Sequence, residues 1–153
     1  MGVIREQEQT IDMTDERTAL DLASLERRER PHTGAQVDLQ MIHTRALIAA
    51  RAALDVQADD VKILDMHELV TYTDFLVLCT GRNARLTKRI AQEIGFKLKT
   101  QVSVLPMGTE GTAAGDWILL DYGDFVVHVF TPEAREFYRL DVLWKQAPVE
   151  TVE

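Results

Sequence analysis

Two short apolar runs separated by three residues constrain the fold more than any other feature of the chain. Residues 117–121 read Trp-Ile-Leu-Leu-Asp, and residues 125–130 read Phe-Val-Val-His-Val-Phe. Tyr122, Gly123 and Asp124 stand between the runs, and a glycine-containing connection of this length is typical of a β-hairpin. The runs therefore predict two neighbouring antiparallel strands.

The residues before this hairpin alternate between helical and strand patterns. Apolar residues at three- and four-residue steps predict a helix over 38–53, and two β-rich runs predict strands over 61–66 and 73–80. Asn83 then caps a second helix, and residues 102–105 predict a third strand. The apolar residues of the second helix recur every four positions, at Leu86, Ile90, Ile94 and Leu98.

The residues after the hairpin predict one more helix. Thr131 caps it, Pro132 takes its first position, and Phe137, Leu140 and Trp144 lie on one face. A crossover around the second helix makes part of the sheet parallel, and the hairpin makes the rest antiparallel. The order of elements predicts a single α/β domain with a mixed, five-stranded sheet flanked by helices.

The first 37 residues differ in composition from the rest of the chain. They contain no aromatic residue, and they end in a helix-breaking cluster at residues 31–34. We therefore predict a mobile extension over 1–37 that includes a short helix over 15–28. A folded domain over 38–148 and a disordered tail over 149–153 follow.

The net charge of −8, from 17 Lys and Arg against 25 Asp and Glu, excludes a protein that coats nucleic acid with its whole surface. The single cysteine, Cys79, stands inside an apolar run, where we expect it to be buried and inert. The sequence has neither an apolar run of membrane length nor an export signal. We therefore expect a cytoplasmic protein with no membrane contact.

The charges are unevenly distributed. The second predicted helix carries six basic residues against Glu93, a pattern typical of a solvated helix face that also fits contact with RNA phosphates. Those basic residues are Arg82, Arg85, Lys88, Arg89, Lys97 and Lys99. Residues 110–153 hold 9 acidic and 3 basic side chains, so this end is expected to attract a basic protein.

Asp121, Asp124 and His128 are the candidates for chemistry, and each has a structural alternative. The two aspartates flank the hairpin turn, where they either hold Mg²⁺ for phosphoryl or nucleotidyl transfer or serve the turn itself. His128 is either a general base or a hydrogen-bonded structural imidazole on the side of the hairpin that carries Trp117 and Leu119. Trp117 either closes the core or contacts a partner, since tryptophan is common in binding hot spots. The residues alone leave these alternatives open.

Several blocks of the sequence match the pattern of one protein family. The most specific block is residues 116–130, which begins Asp-Trp-Ile-Leu-Leu-Asp-Tyr-Gly-Asp. The other blocks are residues 58–65, 73–75, 79–81, 110–111, 135–140 and 143–144. On these residues the sequence resembles the ribosomal silencing factors, also called Iojap-like proteins, over about residues 38–148.

The resemblance implies a nucleotidyltransferase-like α/β fold without known catalysis, cofactor or metal. It implies binding to the large ribosomal subunit through its fourteenth ribosomal protein, on the face that meets the small subunit. Such binding blocks subunit joining and represses translation when nutrients run short. The alternative from another class is a Mg²⁺-dependent nucleotidyl- or phosphotransferase that uses Asp121 and Asp124.

The resemblance also implies a set of partner-binding residues, which comprises Glu110, Trp117, Leu119, Asp121, Tyr122, Asp124, His128, Phe130 and Tyr138. Strand alternation puts Trp117 and Asp121 on one face, so we expect these two to contact the partner and Gly123 to shape the turn.

Two departures from the usual family pattern are the long N-terminal arm and the residues 82–84, where small or hydroxylated residues are common. A peripheral contact with ribosomal RNA is expected through Arg82, Arg85, Lys88 and Arg89. A homodimer through a sheet edge or an apolar patch stays an open alternative.

Overall fold

The computed structural model describes residues 38–153, so the extension predicted over 1–37, with its helix over 15–28, lies outside the described residues. The described chain opens with helix α1 (Leu39–Asp55), which confirms the first predicted helix. Asp38 caps it, because its carboxylate accepts a hydrogen bond of 2.8 Å from the amide of Met41. A stripe of small residues then packs this helix closely on the sheet, with Ala46, Ala49, Ala50 and Ala53 fully buried.

Helix α2 (Ala84–Val102) confirms the second predicted helix and extends it. The Asn83 side chain accepts from the amide of Leu86 at 2.9 Å, and the predicted stripe of Ile90, Ile94 and Leu98 is fully buried. The helix ends where Ser103 adopts a left-handed conformation.

The strand predicted over 102–105 is therefore wrong. Val102 lies four residues after Leu98 and so continues the buried stripe of α2 by one more turn, while Leu105 is 66% exposed. A three-residue strand, β3 (Gly108–Glu110), follows instead, inside the segment whose glycines and lack of periodicity obscure it.

In the described residues the sheet has six strands rather than the predicted five, and it is mixed as expected. The other strands are β1 (Asp59–Asp65), β2 (Phe75–Thr80), β4 (Trp117–Asp121), β5 (Phe125–Phe130) and β6 (Val149–Thr151). Their spatial order is β3-β4-β5-β2-β1-β6. Strands β2 and β5 pair in parallel, and each other neighbouring pair in this sheet is antiparallel.

The hairpin of β4 and β5 confirms the strongest sequence prediction. Its register pairs Leu119 with His128 and Asp121 with Val126. Gly123 has a φ of 85°, a conformation that glycine adopts without strain, and its amide donates to the Asp121 carboxylate at 2.8 Å. Gly123 therefore shapes the turn, as predicted.

The C-terminal residues correct a second prediction. Residues 149–153 were expected to form a disordered tail, but β6 pairs antiparallel with β1, with Ile63 opposite Glu150. Val152 is only 8% exposed, and its amide donates to the carbonyl of Val61 at 3.0 Å. Three residues are too few to show a period in sequence, so only the partner strand reveals this edge of the sheet.

The last predicted helix is interrupted. Helix α3 (Pro132–Tyr138) and the single turn α4 (Leu140–Leu143) are separated by Arg139, whose φ of 50° is left-handed. Because of this break, Leu140 turns into the core while Phe137 stays 50% exposed. The expectation that both lie on one helix face with Trp144 is therefore wrong.

The sheet is covered on both faces. Helices α1 and α2 pack on the face that carries Ile63, Val77 and Val127, and α3 and α4 pack on the face that carries Trp117 and Phe130. No helix within residues 38–153 has the length and apolar character that crossing a membrane requires.

Cys79 lies at the centre of this arrangement and is fully buried. Burial, opposed by the positive charge of Arg135, raises the pKa of its thiol to about 12. The thiol therefore stays protonated at neutral pH, and the prediction of a buried, inert cysteine is confirmed.

Arg135 of α3 connects this helix to the sheet and to α4. Its side chain is buried, with 9% exposed. Its guanidinium donates two hydrogen bonds of 3.1 Å to the Asp141 carboxylate, one to the Thr80 hydroxyl at 2.8 Å and one to the Asp60 carbonyl at 3.1 Å. Burial of Asp141 opposes its ionisation, but these bonds and the charge of Arg135 prevail and lower its pKa. The network therefore stabilises the fold while Asp141 is ionised.

Replacing Arg135 by Met is expected to lower the free energy of unfolding by about 3 kcal/mol, because it leaves a half-buried carboxylate and a buried hydroxyl without their donor. Urea unfolding at pH 7 measures the loss. The matched control is Arg139→Met, since Arg139 is half exposed and its ion pair with Glu136 is solvated, so the change should stay within about 0.5 kcal/mol. Equal losses in the two variants would contradict the role given to Arg135.

Candidate partner-binding surface

Four aromatic side chains form a buried cluster between the hairpin and α3. They are Trp117, His128, Phe130 and Tyr138. The Trp117 indole nitrogen donates a hydrogen bond of 3.0 Å to Nδ1 of His128. The Trp117 ring also stacks on Phe130, with centroids 5.2 Å apart, and lies 4.5 Å from the ring of Tyr138. These contacts fix the hairpin against α3 through one polar bond inside an apolar cluster.

His128 is neutral in this position. Burial, together with the positive charge of Arg135, lowers its pKa to about 3. Its Nδ1 accepts from Trp117, so the ring proton sits on Nε2. The geometry confirms the reading of His128 as a structural imidazole on the side of the hairpin that carries Trp117 and Leu119.

Most of the expected partner-binding residues are not at the surface. Trp117, Leu119, His128 and Phe130 are at most 2% exposed, and Asp121, Tyr122 and Tyr138 are 7–8% exposed. Within the described part of the chain, the members of the set that reach solvent are Glu110, which is exposed, and Asp124, which is partly exposed.

The direct contact expected of Trp117 does not fit its burial. Truncating a buried tryptophan to alanine costs about 3–5 kcal/mol. Trp117→Ala therefore lowers the stability of the hairpin. A loss of binding in this variant would not by itself show that Trp117 contacts the partner. The buried residues of the set hold the hairpin in place beneath the exposed ones.

Asp121 and Asp124 serve the turn that they flank. The Asp121 carboxylate holds the Gly123 amide, and the Asp124 carbonyl accepts from the amide of Asp74 at 2.9 Å, which fixes the turn to the start of β2. Within residues 38–153, no three His, Cys, Asp or Glu side chains come together as ligands for a metal. The donor set that a two-metal transferase needs is not assembled in this part of the chain.

The loop between β3 and β4 is packed against the first turns of α2. The Thr87 hydroxyl, buried in α2, donates to the carbonyl of Gly115. A Cβ atom at Gly115 would lie 2.9 Å from Cε of Lys88 and 3.1 Å from Cβ of Ala84, and the φ of this glycine is 80°. Glycine is therefore required there, and the close packing fixes this end of the loop against the start of α2.

The basic residues in the two halves of α2 differ in their ion pairs. Arg82, Arg85 and Lys88, at or near its start, make no ion pair with another described residue, and Arg89 pairs with Glu93 at 3.0 Å. Further along, Lys97 pairs with Asp55 at 3.7 Å and with Glu93 at 3.8 Å. The positive charge is therefore concentrated in the first half of the helix.

The family model of the ribosomal silencing factor during starvation matches residues 39–153. The chain belongs to this family. It is 37% identical over 103 residues to the ribosomal silencing factor of Bacillus subtilis, across 67% of this chain and 86% of the relative.

A solved structure and a more distant relative agree with this membership. The chain resembles the crystal structure of a protein from Chromobacterium violaceum with a TM-score of 0.64 and 33% identity, over 71% of this chain and 88% of that one. It is also 30% identical over 132 residues to mouse mitochondrial assembly of ribosomal large subunit protein 1, across 85% of this chain and 54% of that protein.

In this member of the silencing factor family, sequence reasoning missed three exposed apolar side chains, on α2 and just before β3. Phe96, Leu105 and Met107 are 60%, 66% and 49% exposed. Phe96 stands two positions after Ile94 in α2 and so falls off the buried stripe, a signal that was present in the periodicity. The exposure of Leu105 could not be foreseen while residues 102–105 were assigned to a strand.

The burial of neutral His128 predicts a pH dependence of stability. The folded pKa lies below the unfolded value, so the unfolded state gains the proton first as pH falls, and stability declines between about pH 6.5 and pH 3. From pH 6.5 to 5.0 this histidine should lower the free energy of unfolding by about 1.6 kcal/mol. Urea unfolding at the two pH values measures the change.

The comparison for this measurement is His128→Gln, whose amide oxygen can still accept from Trp117 but does not titrate. Its stability should lack this part of the pH dependence, whereas His67→Gln, at an exposed position, should retain it. The same decline in wild type and His128→Gln would refute the assignment.

Proposed function

We propose that this protein binds the large ribosomal subunit through its fourteenth ribosomal protein, sterically blocks joining of the small subunit and represses translation under nutrient limitation. Membership of the silencing factor family carries the proposal. The mouse relative, which is named for assembly of the mitochondrial ribosomal large subunit, supports the choice of subunit. The role is regulatory, needs no cofactor and belongs in the cytoplasm.

The geometry supports a docking surface at the β3 edge, which we define as β3 together with Leu105 and Met107, just before it in the chain. Glu110 gives this edge an exposed carboxylate, Leu105 and Met107 give it exposed apolar side chains, and ribosomal proteins are basic. Such a surface offers attraction at long range and apolar contact area at short range. The buried cluster around Trp117 fixes β4, and β4 pairs with β3.

Glu110→Lys is expected to weaken binding to isolated large subunits about tenfold, because it replaces an attractive charge by a repulsive one at the rim of the contact. Co-sedimentation in sucrose gradients measures the bound fraction. In the same gradients, wild type should reduce the joined-ribosome peak when both subunits are present, and the variant should do so less.

Glu136→Lys is the matched control, since Glu136 is also exposed but stands on α3, outside the β3 edge. This variant should bind as wild type does. If Glu110→Lys and Glu136→Lys bind equally well, Glu110 is not part of the docking surface.

We propose in addition that the start of α2 touches ribosomal RNA. Arg82, Arg85 and Arg89 are exposed on one side of the helix, and Lys88 lies next to them. Because Arg82, Arg85 and Lys88 form no ion pair with another described residue, their charge is available for phosphates. This contact is peripheral, since the rest of the described surface is mainly acidic.

Replacing Arg82, Arg85 and Arg89 together by Gln should reduce the salt dependence of subunit binding. Each lost phosphate contact lowers the magnitude of the slope of log K against log salt by about 0.7–0.9, so three lost contacts should lower it by about 2–3. The control replaces Arg51, Lys99 and Arg139, which are also exposed, and removes the same net charge. An equal change of slope in both triple variants would show a general charge effect and contradict an RNA contact at α2.

A further inference from the structure

A groove of about 410 Å³ lies between α2 and the outer end of the sheet. Ile118 and Leu120 of β4 form its floor, Ala91 and Phe96 of α2 form one wall, and Thr109 of β3 lies on the opposite side. Most of the lining is apolar, and Lys88 is the one charged residue that reaches it from the described part of the chain. The groove therefore suits an apolar side chain.

Strand β3 borders the groove and ends the sheet. In the described residues it pairs with β4 on one side, with Thr109 opposite Leu120, and no strand pairs with it on the other. All three of its residues are exposed. The outer backbone groups of such a strand match another extended segment, whose N–H and C=O groups repeat at the same spacing.

Gly95 keeps the groove open. A Cβ atom at this position would meet no atom within 4 Å, so no close contact of the described fold requires glycine there. Glycine inside a helix costs about 0.5–1 kcal/mol relative to alanine. A larger side chain at position 95 would extend into the groove.

The surroundings of the groove define the chemistry of its occupant. Phe96, one of the lining residues, is 60% exposed, and phenylalanine is a residue type enriched in protein interfaces. Glu110 ends β3 with an exposed carboxylate. An occupant is therefore an extended polypeptide with a large apolar side chain and a basic residue near Glu110.

We propose that an extended segment of the basic ribosomal protein adds to β3 as a further strand and places a large apolar side chain in the groove. This proposal rests on the proposed function and states how the β3 edge is used. Main-chain hydrogen bonds to β3 supply affinity, and the groove selects the side chain that alternation directs toward α2. The basic residue of the segment lies opposite Glu110.

Gly95→Leu is the deciding variant of the full 153-residue chain. The Cβ atom of the leucine meets no atom within 4 Å and the rest of its side chain occupies the groove, so thermal unfolding should be unchanged or shifted upward, while binding to isolated large subunits should fall at least tenfold. Gly95→Ala is the matched control and should bind as wild type, because one methyl group leaves the groove open.

Amide hydrogen exchange tests the added strand directly. In the complex with large subunits, the amides of residues 108–110 should exchange more slowly than in the free protein. In the Gly95→Leu variant this protection should be weaker at equal concentration.

The outcomes separate the two proposals. If wild type binds subunits and responds to Glu110→Lys, but Gly95→Leu binds equally well or residues 108–110 gain no protection, strand addition is refuted and the proposed function stands. If wild type does not bind subunits, both fail. If sedimentation equilibrium shows a dimer that Gly95→Leu converts to monomer, a second copy occupies the groove and the proposal is overturned.

Discussion

The hydrogen bond between the Trp117 indole and the His128 imidazole organises one half of this protein. It joins the two strands of the hairpin at their buried face, and the Trp117 ring packs against the rings of Phe130 and Tyr138. A neutral imidazole is the only state of His128 that can accept this bond. Burial enforces that state, so the packing of the hairpin and the protonation of His128 depend on each other.

The residues of the family motif support the fold, and most of them are not exposed to a partner. The family motif concentrates on residues 116–130, yet the structure buries nearly every side chain in it. A buried motif of this kind forms a rigid platform, on which the proposed docking surface at the β3 edge rests. The exposed side chains of that proposed surface are Glu110, at the end of the strand that β4 holds in place, and Leu105 and Met107, just before that strand.

The sequence predicted those elements whose signals are local. Asn83 and Thr131 caps, the four-residue stripe of α2 and the glycine turn at Gly123 each depend on residues close together in the chain, and the structure confirms all of them. Strand β6 depends on a partner more than 80 residues away, so three exposed residues gave no sign of it. The break at Arg139 and the burial of Trp117 likewise depend on the packing of α3 against the hairpin, which no window of sequence contains.

The position of Cys79 has a practical consequence for measurement. It is the single cysteine of the chain, it lies in the central parallel pair of strands, and its thiol is fully buried and protonated. A cysteine introduced at an exposed site would thus be the only reactive thiol of the native protein, and it would accept a fluorescent or spin label without removal of the natural residue. The fold therefore provides a chemically silent background on which movements of β3 or α2 can be followed by spectroscopy.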